Sequence, residues 1–454
     1  MNIKSIILAA GKGSRMCSDL PKVMHTIGGK AMFHHVVSTC KSLGEGSLIG
    51  VVGHHAEVVI ESLPKETITW VHQEEQLGTG HAVMQAVPQI GDDDVVLIAY
   101  GDVPLVKAET LKPLCDCIGE YDFALLTTKL DEPFGLGRIV RGDDNQILEI
   151  VEEKDATDEI RKIQEINTGI VAAKGAHLKR WLSKLSNDNA QKEYYLTDCV
   201  AHAVAEGASI TSVDCPDANE IQGVNNRQQQ AKLERVYQLD QAAALMARGV
   251  TLIDPARLDV RGEVEVGKDV LVDINAVFIG DVKIGDNVVI EPNCIIQDAV
   301  IGSNVTVKSN SVIEDAVIGD YCDIGPFARI RPGTRLASHA KVGNFVEIKK
   351  SIVGEGSKIS HLSYVGDTEM GSDVNIGAGT ITCNYDGVNK FKTTIGDDVF
   401  VGSDTQLVAP VTIKDGSTIG AGSTITKDTP EQQLTLSRAK QISIPGWIRP
   451  NKNK

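Results

Sequence analysis

A six-residue period of aliphatic residues constrains the fold of this chain more than any other feature. The period runs without interruption over 318–348, slips by one residue, continues over 353–365 and resumes over 395–425. Neither an α-helix nor a pleated strand has this period. It is typical of a hexapeptide solenoid, whose coils have three short faces with one inward aliphatic residue each. The inward positions are predicted to be Ile318, Ile324, Ile330, Leu336, Val342, Ile348, Val353, Ile359, Val365, Ile395, Val401, Leu407, Ile413, Ile419 and Ile425.

The hexads extend from about residue 266 to residue 425, which corresponds to roughly eight or nine coils. Glycines follow aliphatic positions directly, where we expect tight bends that are easiest without a Cβ atom. Chance Ile-Gly pairs in an ordinary β-sandwich are the alternative, and six consecutive hexads in phase argue against it. These glycines are Gly319, Gly325, Gly343, Gly354, Gly366, Gly377, Gly396, Gly402 and Gly420.

Length, charge and cysteine content limit the remaining possibilities. A chain of 454 residues is too long for one core, so two domains are expected. The net charge of −16 argues against nucleic acid or an anionic membrane as the main partner. The nine cysteines form no Cys-x-x-Cys pair, so we expect reduced packing thiols. Because there is no signal-peptide core and no 18-residue apolar run, we expect a soluble, cytoplasmic protein.

The pattern before the solenoid differs. Over 1–227, apolar runs typical of buried strands alternate with longer mixed segments, which predicts a parallel sheet covered by helices. Residues 228–248 are rich in Gln, Ala, Leu, Lys and Arg and contain neither Gly nor Pro, which favours one long connecting helix. The predicted architecture is α/β: a Rossmann-like domain, a helical linker, and a parallel β-helix over 249–454.

The first predicted strand ends in a glycine-rich loop that reads Leu8-Ala9-Ala10-Gly11-Lys12-Gly13-Ser14-Arg15-Met16. Glycines allow backbone N–H groups to approach phosphate oxygens, and Lys12, Arg15 and Lys22 add positive charge. The loop is neither a dinucleotide fingerprint nor a Walker loop, because Met16 replaces the third glycine and the G-K-[ST] ending is missing. On the glycines alone, a structural turn remains an alternative.

Further segments in the same order resemble the sugar-phosphate nucleotidyltransferases. They read Leu20-Pro21-Lys22, Gln76-Leu77-Gly78-Thr79-Gly80-His81-Ala82, Tyr100-Gly101-Asp102-Val103-Pro104-Leu105, Glu165-Ile166-Asn167-Thr168-Gly169 and Glu220-Ile221-Gln222-Gly223-Val224-Asn225-Asn226-Arg227. The resemblance implies a nucleoside triphosphate in the glycine loop and Mg²⁺ bound by Asp102 and Asn225. The implied nucleotide and sugar ligands are Leu8, Ala9, Ala10, Gly11, Lys22, Gln73, Gly78, Thr79, Tyr100, Gly101, Asp102, Gly137, Glu152, Asn167 and Asn225.

These residue types suit phosphoryl chemistry. Two polyanions must meet while a sugar phosphate attacks an α-phosphorus, so charge neutralisation and in-line positioning are the main requirements. A carboxylate such as Asp102 after a buried strand is a suitable hard-metal ligand, although alone it could be a solvated turn residue. Phe134 and Leu136 stand where the family would have Thr and Tyr. The resemblance therefore leaves the fine shape of the sugar pocket open.

Three features suggest that the solenoid is also an enzyme. His361 lies within a hexad, residues 382–390 interrupt the period as an extruded loop, and cations cluster at Arg329, Arg331, Lys349 and Lys350. A lone histidine is more often structural. In this setting, however, His361 resembles the general base of the hexapeptide acyltransferases. Such a base takes the proton of an amine as its nitrogen attacks a thioester.

Taken together, both halves resemble the bacterial bifunctional N-acetylglucosamine-1-phosphate uridylyltransferase/glucosamine-1-phosphate acetyltransferases. The resemblance implies a left-handed, trimeric solenoid that acetylates glucosamine 1-phosphate from acetyl-CoA, and an N-terminal half that then uses UTP to form UDP-N-acetylglucosamine. It implies that the sugar phosphate of the acetylation site contacts Arg331, Lys349, Tyr364 and Asn375. The implied acetyl-CoA ligands are Ala378, Asn384, Tyr385, Ser403, Ala421 and Arg438.

Two other functions are compatible with the same features. One is a nucleotidyltransferase with a single activity, whose solenoid is regulatory or mediates oligomerisation. The other is a non-catalytic sensor of sugar nucleotides built on both scaffolds. Only the bifunctional enzyme would release both CoA and pyrophosphate from glucosamine 1-phosphate, acetyl-CoA, UTP and Mg²⁺.

Overall fold

The computed structural model describes residues 2–189 and 191–450. The chain divides into two compact units, Met1–Tyr237 and Gln238–Lys454. The first is an α/β unit and the second is built of short parallel strands. None of the helices in the described ranges combines the length and the apolar content that a membrane span requires.

The α/β unit is organised around one mixed sheet. The prediction of a parallel sheet is wrong for part of it, because Glu165–Lys174 runs antiparallel to both of its main neighbours. Arg138–Arg141 pairs with this strand and with Ile147–Val151, and Thr26–Ile27 pairs separately with Lys30–Ala31. The main strands lie in the order Ile210–Asp214, Phe123–Lys129, Glu165–Lys174, Val95–Tyr100, Ile3–Ala9, Ser47–Val52 and Ile68–His72.

Helices cover both faces of this sheet because its central strands are buried on both sides. In the strand Ile3–Ala9, Ile7 belongs to one hydrophobic cluster, whereas Ile6 and Leu8 belong to another, as the alternation of side chains in a strand requires. The α-helices are Met32–Lys41, Ala56–Glu61, Thr79–Ala86, Ala108–Asp116, Asp158–Arg161, Gly175–Leu182 and Asp198–Ala205, and the 3₁₀ turns are Ser14–Met16, Lys22–Met24 and Val87–Gln89.

A single helix, Arg227–Ala247, occupies the predicted linker and is called the connecting helix below. Its Leu233 belongs to a small buried cluster with Met16 and Val224. Further along, Ala242 and Leu245 belong to the core of the second unit. Each end of the helix is therefore part of a hydrophobic core.

The second unit is a parallel β-helix, as predicted. One face stacks the strands Thr251–Leu252, Leu271–Val272, Val289–Ile290, Thr306–Val307, Asp323–Ile324, Lys341–Asn344, Lys358–His361, Asn375–Ile376, Phe400–Val401, Thr418–Ile419 and Leu434–Thr435. The other two faces are formed by Leu258–Val266, Ala276–Ile284, Ile295–Gln297, Val300–Ile301, Val312–Glu314, Ala316–Ile318, Arg329–Ile330, Thr334–Leu336, Glu347–Lys349, Ile352–Val353, Tyr364–Gly366, Thr368–Met370, Ile381–Cys383, Thr393–Ile395, Gln406–Val408, Val411–Ile413 and Thr424–Ile425.

The predicted inward positions are confirmed, since all fifteen are buried. The predicted extent is wrong, because the coils begin before residue 266 and end after residue 425. Leu258 already pairs with Ala276, and Thr418 pairs with Leu434. Eleven strands on one face also exceed the eight or nine coils predicted. The period was harder to see in the first coils because Val, Phe and Ala share the inward positions there.

The solenoid glycines are needed for a different reason than expected. Of the nine predicted corner glycines, only Gly325 has a left-handed backbone, with φ of 96°. At Gly343 a Cβ atom would lie 1.9 Å from the carbonyl oxygen of Ser360 in the next coil. The close approach of neighbouring coils, rather than the bend itself, excludes a side chain there.

A loop emerges from the solenoid without disturbing its register. Lys341 pairs with Lys358, 17 residues later, whereas Met370 pairs with Ile395, 25 residues later. The extra residues leave the stack after the strand Ile381–Cys383. The loop therefore begins slightly later than the predicted residue 382.

Candidate active sites

The first candidate site is a cavity of about 320 Å³ at one edge of the α/β sheet. The parallel strands Ile3–Ala9 and Val95–Tyr100 are neighbours, so the glycine loop and Asp102 follow them at the same edge. Ten predicted nucleotide or sugar ligands line this cavity, together with Val23, Gln76, Ala82 and Glu193. The ten are Leu8, Ala9, Ala10, Gly11, Lys22, Gln73, Gly78, Thr79, Tyr100 and Asp102.

One glycine packs against Lys22 beside the cavity, and another forms part of the cavity wall. At Gly13, with φ of 61°, a Cβ atom would lie 2.6 Å from Cβ of Lys22. At Gly78, with φ of 108°, it would lie 2.6 Å from the carbonyl oxygen of Tyr194. Both positions combine a left-handed backbone with close packing, so each requires glycine.

Four charged or polar side chains meet at the rim. The ammonium of Lys22 forms an ion pair with Asp102, and its Nζ lies 3.0 Å from Oδ1 of Asn225. The guanidinium of Arg15 donates to the same Oδ1 at 3.0 Å. Oxygens from Asp102 and Asn225 therefore converge on one cationic atom, although more than a hundred residues separate them in the sequence.

The remaining predicted ligands are linked to this cavity. The backbone N–H of Asn167 donates to the carbonyl oxygen of Gly137 at 2.9 Å. Both carboxylate oxygens of Glu152 lie 3.5 Å from where a Cβ atom of Gly137 would be. The backbone N–H of Gly101 donates to the carbonyl oxygen of Leu8 at 2.9 Å. The backbone N–H of Gly169 donates to Oδ1 of Asn167 at 3.1 Å, and a Cβ atom on Gly169 would lie 2.8 Å from the ring of Tyr100, which lines the cavity. The remaining ligands therefore adjoin the cavity, although their individual roles stay predictions.

Burial changes the acidity of two side chains here. It raises the pKa of the Tyr100 hydroxyl above its ordinary value, and the nearby carboxylates of Asp102 and Glu152 add to this effect. Burial likewise raises the pKa of Glu152. A hydrogen bond from Thr197 lowers this pKa, but the effect of burial is larger. Tyr100 is therefore a neutral hydrogen-bonding group under ordinary conditions.

The two residues that depart from the family pattern do not line this cavity. Phe134 is 86% exposed and instead borders a second cavity of about 580 Å³. That cavity also contacts Arg138, whose guanidinium is buried and pairs with Glu153 at 2.8 Å. The carbonyl oxygen of Leu136 accepts a hydrogen bond from Arg138. This contact positions the loop before Gly137.

The second candidate site lies on the solenoid around His361. This residue ends the strand Lys358–His361 and is directly opposite Asn344 in the preceding coil. The Nδ1 atom of His361 lies 2.8 Å from Oδ1 of Asn344. Because an amide oxygen only accepts, Nδ1 carries the proton of the neutral ring and Nε2 has the free lone pair. This is the tautomer that a general base needs at Nε2.

Cationic residues lie on coils near His361. Arg331 pairs with Glu347 at 2.6 Å, and Glu347 is in register with Tyr364. The ammonium of Lys349 can donate a hydrogen bond to Lys390 only when Lys390 is neutral, and it repels the charged form, so Lys349 holds the pKa of Lys390 below its ordinary value. Two adjacent ammonium groups of this kind form a ready site for an anion.

The extruded loop is ordered by its own hydrogen bonds. The carboxylate of Asp386 accepts from the backbone N–H groups of Val388 and Asn389, at 2.8 and 2.6 Å. Asn384 donates to Asp367 at 2.6 Å, which ties the start of the loop to the preceding coil. The Tyr385 ring is 59% exposed. The loop thus presents an aromatic residue to solvent on an ordered backbone.

Four of the predicted acetyl-CoA ligands form a column along the solenoid. The carbonyl oxygens of Ala378 and Ser403 accept from the backbone N–H groups of Asp404 and Gly422, both at 2.8 Å. The guanidinium of Arg438 donates to the carbonyl oxygen of Ala421 at 2.8 Å. At about 4.8 Å per coil, the column is roughly 14 Å long. Its small side chains leave room for an extended substituent.

Comparisons with known proteins agree with this two-part organisation. Family models match a MobA-like NTP transferase domain at residues 5–166, a GMPPB C-terminal domain at 260–344 and six bacterial transferase hexapeptide repeats at 392–427. The bifunctional protein GlmU of Marinobacter nauticus is 57% identical over 447 residues, which cover 98% of each chain. The chain belongs to the GlmU family.

Solved structures resemble part of the chain. A UDP-glucose pyrophosphorylase bound to UDP-glucose is 17% identical, with a TM-score of 0.44, and the match covers 52% of this chain and 98% of that one. A nucleotidyl transferase from Methanothermobacter thermautotroptrophicus is 18% identical, with a TM-score of 0.38, covering 52% and 97%.

Membership of the GlmU family confirms the predicted function. The chain is a bifunctional transferase of UDP-N-acetylglucosamine synthesis, with a nucleotidyltransferase half and a hexapeptide acetyltransferase half. A nucleoside triphosphate and acetyl-CoA are accordingly its co-substrates.

Several residues at both sites were not predicted from the sequence. Asn344 was detectable, because it precedes His361 by 17 residues and therefore occupies the same place one coil earlier. Lys390 lay inside the recognised loop, but its proximity to Lys349 depends on how that loop folds back. Glu193 lines the nucleotide cavity from a segment with no motif of its own.

Proposed function

We propose that the N-terminal half transfers the uridylyl group of UTP to N-acetylglucosamine 1-phosphate and releases pyrophosphate. The convergence of Lys22, Asp102 and Asn225 beside the glycine loop is the observation that carries this assignment. In such a reaction, backbone N–H groups near Gly11 would bind phosphate oxygens, and Lys22 and Arg15 would neutralise the charge of the leaving pyrophosphate. The amide of Gln73, held by Gly78 and His81 at 3.1 Å each, is suited to hydrogen-bond a pyrimidine base.

A magnesium ion fits the residues at the rim. Asp102 and Asn225 offer hard oxygen ligands that already converge on one cation. Among the described residues, no group of three or more His, Cys, Asp or Glu side chains could hold a metal. Mg²⁺ commonly completes its coordination with substrate oxygens and water, so two protein ligands suffice. Bound there, it would neutralise charge on the reacting phosphates.

The C-terminal half is proposed to acetylate glucosamine 1-phosphate with His361 as general base. The amine nitrogen attacks the thioester carbonyl carbon, the C–S bond breaks, and the CoA sulfur leaves with the bonding electrons. Nε2 of His361 takes the proton that the nitrogen loses. The pair of Lys349 and Lys390, with Arg331, Tyr364 and Asn375, would hold the sugar phosphate.

Acetyl-CoA is proposed to lie along the column defined by Ala378, Ser403 and Ala421. Arg438 at its far end supplies a cation for the phosphates of CoA. Asn384 and Tyr385 would border the acetyl group from the extruded loop. Because UTP and acetyl-CoA are metabolites of the cell interior, the proposal includes a cytoplasmic location.

We propose further that three chains assemble through their solenoids. Phe327 and Phe345 stack at a ring distance of 5.2 Å at one corner, and both are about half exposed. Leu362, which is 60% exposed, continues this corner directly beside His361. An apolar strip next to a catalytic group suits the surface of a second copy. The exposed loop around Tyr385 would then contribute to a neighbour's site.

One assay tests the whole proposal. The full chain is incubated with glucosamine 1-phosphate, acetyl-CoA, UTP and Mg²⁺, and CoA and pyrophosphate are measured separately. Both should appear, and chelation with EDTA should stop pyrophosphate release while CoA release continues. Pyrophosphate release without CoA would support the single-activity nucleotidyltransferase. Release of neither product would support the non-catalytic sensor.

A further inference from the structure

We infer that Gln229, in the first turn of the connecting helix, is a positioning residue for uridylyl transfer because it holds the backbone of Asn225. The backbone N–H of Asn225 donates to Oε1 of Gln229 at 2.7 Å. The inference rests on the proposed role of Asn225 as a Mg²⁺ ligand. It assigns the start of the predicted linker to the machinery of the first active site.

The contact is a variant of a helix capping box. The connecting helix begins at Arg227, so Asn226 is the capping residue and Gln229 is the third helical residue. The backbone N–H of Gln229 donates to Oδ1 of Asn226 at 2.9 Å, as in an ordinary capping box. The side chain of Gln229, however, reaches one residue beyond the cap to Asn225. The local signal that starts the helix therefore also orients a predicted metal ligand.

A second hydrogen bond holds the same segment from the other side. The backbone N–H of Val224 donates to the carbonyl oxygen of Asp102 at 2.9 Å. Val224 is also buried against Met16 and Leu233. The chain at Asn225 is thus connected to Asp102 on one side and to Gln229 on the other. This arrangement restrains the backbone of Asn225 relative to that of Asp102.

The same helix also holds the turn that carries Lys22. Arg227, Gln230 and Glu234 lie on one helix face and contact three residues of the segment after that turn. The guanidinium of Arg227 lies 3.1 Å from Nδ1 of His25, and the amide of Gln230 donates to the carbonyl oxygen of Thr26 at 2.9 Å. The backbone N–H of Gly28 donates to Glu234 at 2.8 Å. Asn225 and Lys22 are therefore positioned by one rigid element.

The test compares three variants of the full chain. Gln229→Ala removes the acceptor, Gln229→Glu keeps an acceptor that a helix N-terminus favours, and Gln228→Ala changes an exposed neighbour in the same turn. We expect Gln229→Ala to lower the rate of pyrophosphate release by about three- to tenfold and to raise the Mg²⁺ concentration needed for half-maximal rate by a similar factor. Gln229→Glu and Gln228→Ala should stay near the wild-type values. CoA release should be unchanged in all three.

Two readouts do not depend on activity. Amide hydrogen exchange of residues 222–229 in the metal-free protein should be about tenfold faster in Gln229→Ala and unchanged in the control. Mn²⁺ binding in the presence of UTP, followed by electron paramagnetic resonance, should weaken in Gln229→Ala and recover in Gln229→Glu.

Equal exchange, metal affinity and rate in Gln229→Ala and wild type would overturn the inference. Equal damage from Gln229→Ala and Gln229→Glu would overturn it as well, because the glutamate keeps the acceptor. Failure of the proposed function gives a different result, in which Asn225→Ala retains full Mg²⁺-dependent activity. In that case faster exchange in Gln229→Ala would leave only a structural role for Gln229.

Discussion

The two halves assemble their candidate sites in opposite ways. In the α/β unit, Lys22, Asp102 and Asn225 come from three distant segments, which the neighbouring parallel strands and the start of the connecting helix bring together. In the solenoid, His361 and Asn344 meet because they occupy the same place in successive coils. A site of the second kind depends on sequence spacing, and a site of the first kind depends on topology.

The largest expected effect is on acetylation. His361→Ala removes the proposed general base and should lower the rate of CoA release by about 10²–10⁴. Pyrophosphate release from N-acetylglucosamine 1-phosphate and UTP should stay at the wild-type rate, since that site belongs to the other unit. If His361→Ala acetylates at nearly the wild-type rate, His361 is a structural residue and not the general base.

Asp102→Ala should slow uridylyl transfer and leave acetylation unchanged. Loss of one of two proposed metal ligands should lower pyrophosphate release by roughly 10²–10³, with CoA release unchanged. Both products can be followed in the same reaction. A parallel loss of both activities would mean that the substitution disrupts more than the rim of the nucleotide cavity.

A smaller effect is expected from the residue one coil before the proposed base. Asn344→Ala removes the acceptor that holds Nδ1–H of His361, and we expect acetylation to slow by about tenfold. Asn344→Asp keeps an acceptor and serves as the matched control. If the two variants are equally slow, the contact at 2.8 Å does not orient the ring.

The smallest expected effect is a change in the pKa of Lys390 when Lys349 is replaced. Because Lys349 holds the pKa of Lys390 below its ordinary value, Lys390 should lose its proton, and with it its affinity for phosphate, earlier than an ordinary lysine as pH rises. Lys349→Gln should raise the pKa of Lys390. NMR titration of the ε-carbon of Lys390 measures this pKa directly. An unchanged or lower pKa in Lys349→Gln would contradict the interaction between Lys349 and Lys390.

The same contrast explains how much could be predicted from the sequence. The inward aliphatic positions were all correct because a six-residue period, with one slip and one gap, can be followed without knowledge of distant contacts. The antiparallel strand Glu165–Lys174 was missed, because direction in a sheet follows from connections rather than from composition.

At the two candidate sites, a different factor limited what could be predicted from the sequence. The chemical role of a residue within a motif, such as Asp102 after a buried strand, can be predicted from the sequence. The contacts of Lys390 and Gln229 do not, since they depend on how a loop and a helix end fold back onto other segments. Motifs therefore predicted most of the proposed ligands, and they did not predict what positions them.

The undisturbed register across the extruded loop has a consequence for how this enzyme can change. Each coil contacts only the coils before and after it, so extra residues at one corner leave the rest of the stack intact. At Gly387, near the loop tip, a Cβ atom would meet nothing within 4 Å, although a φ of 104° favours glycine at this position. The loop can therefore vary in length at little cost in folding free energy. A solenoid of this kind can acquire new substrate contacts by adding residues to a loop while its core sequence stays constant.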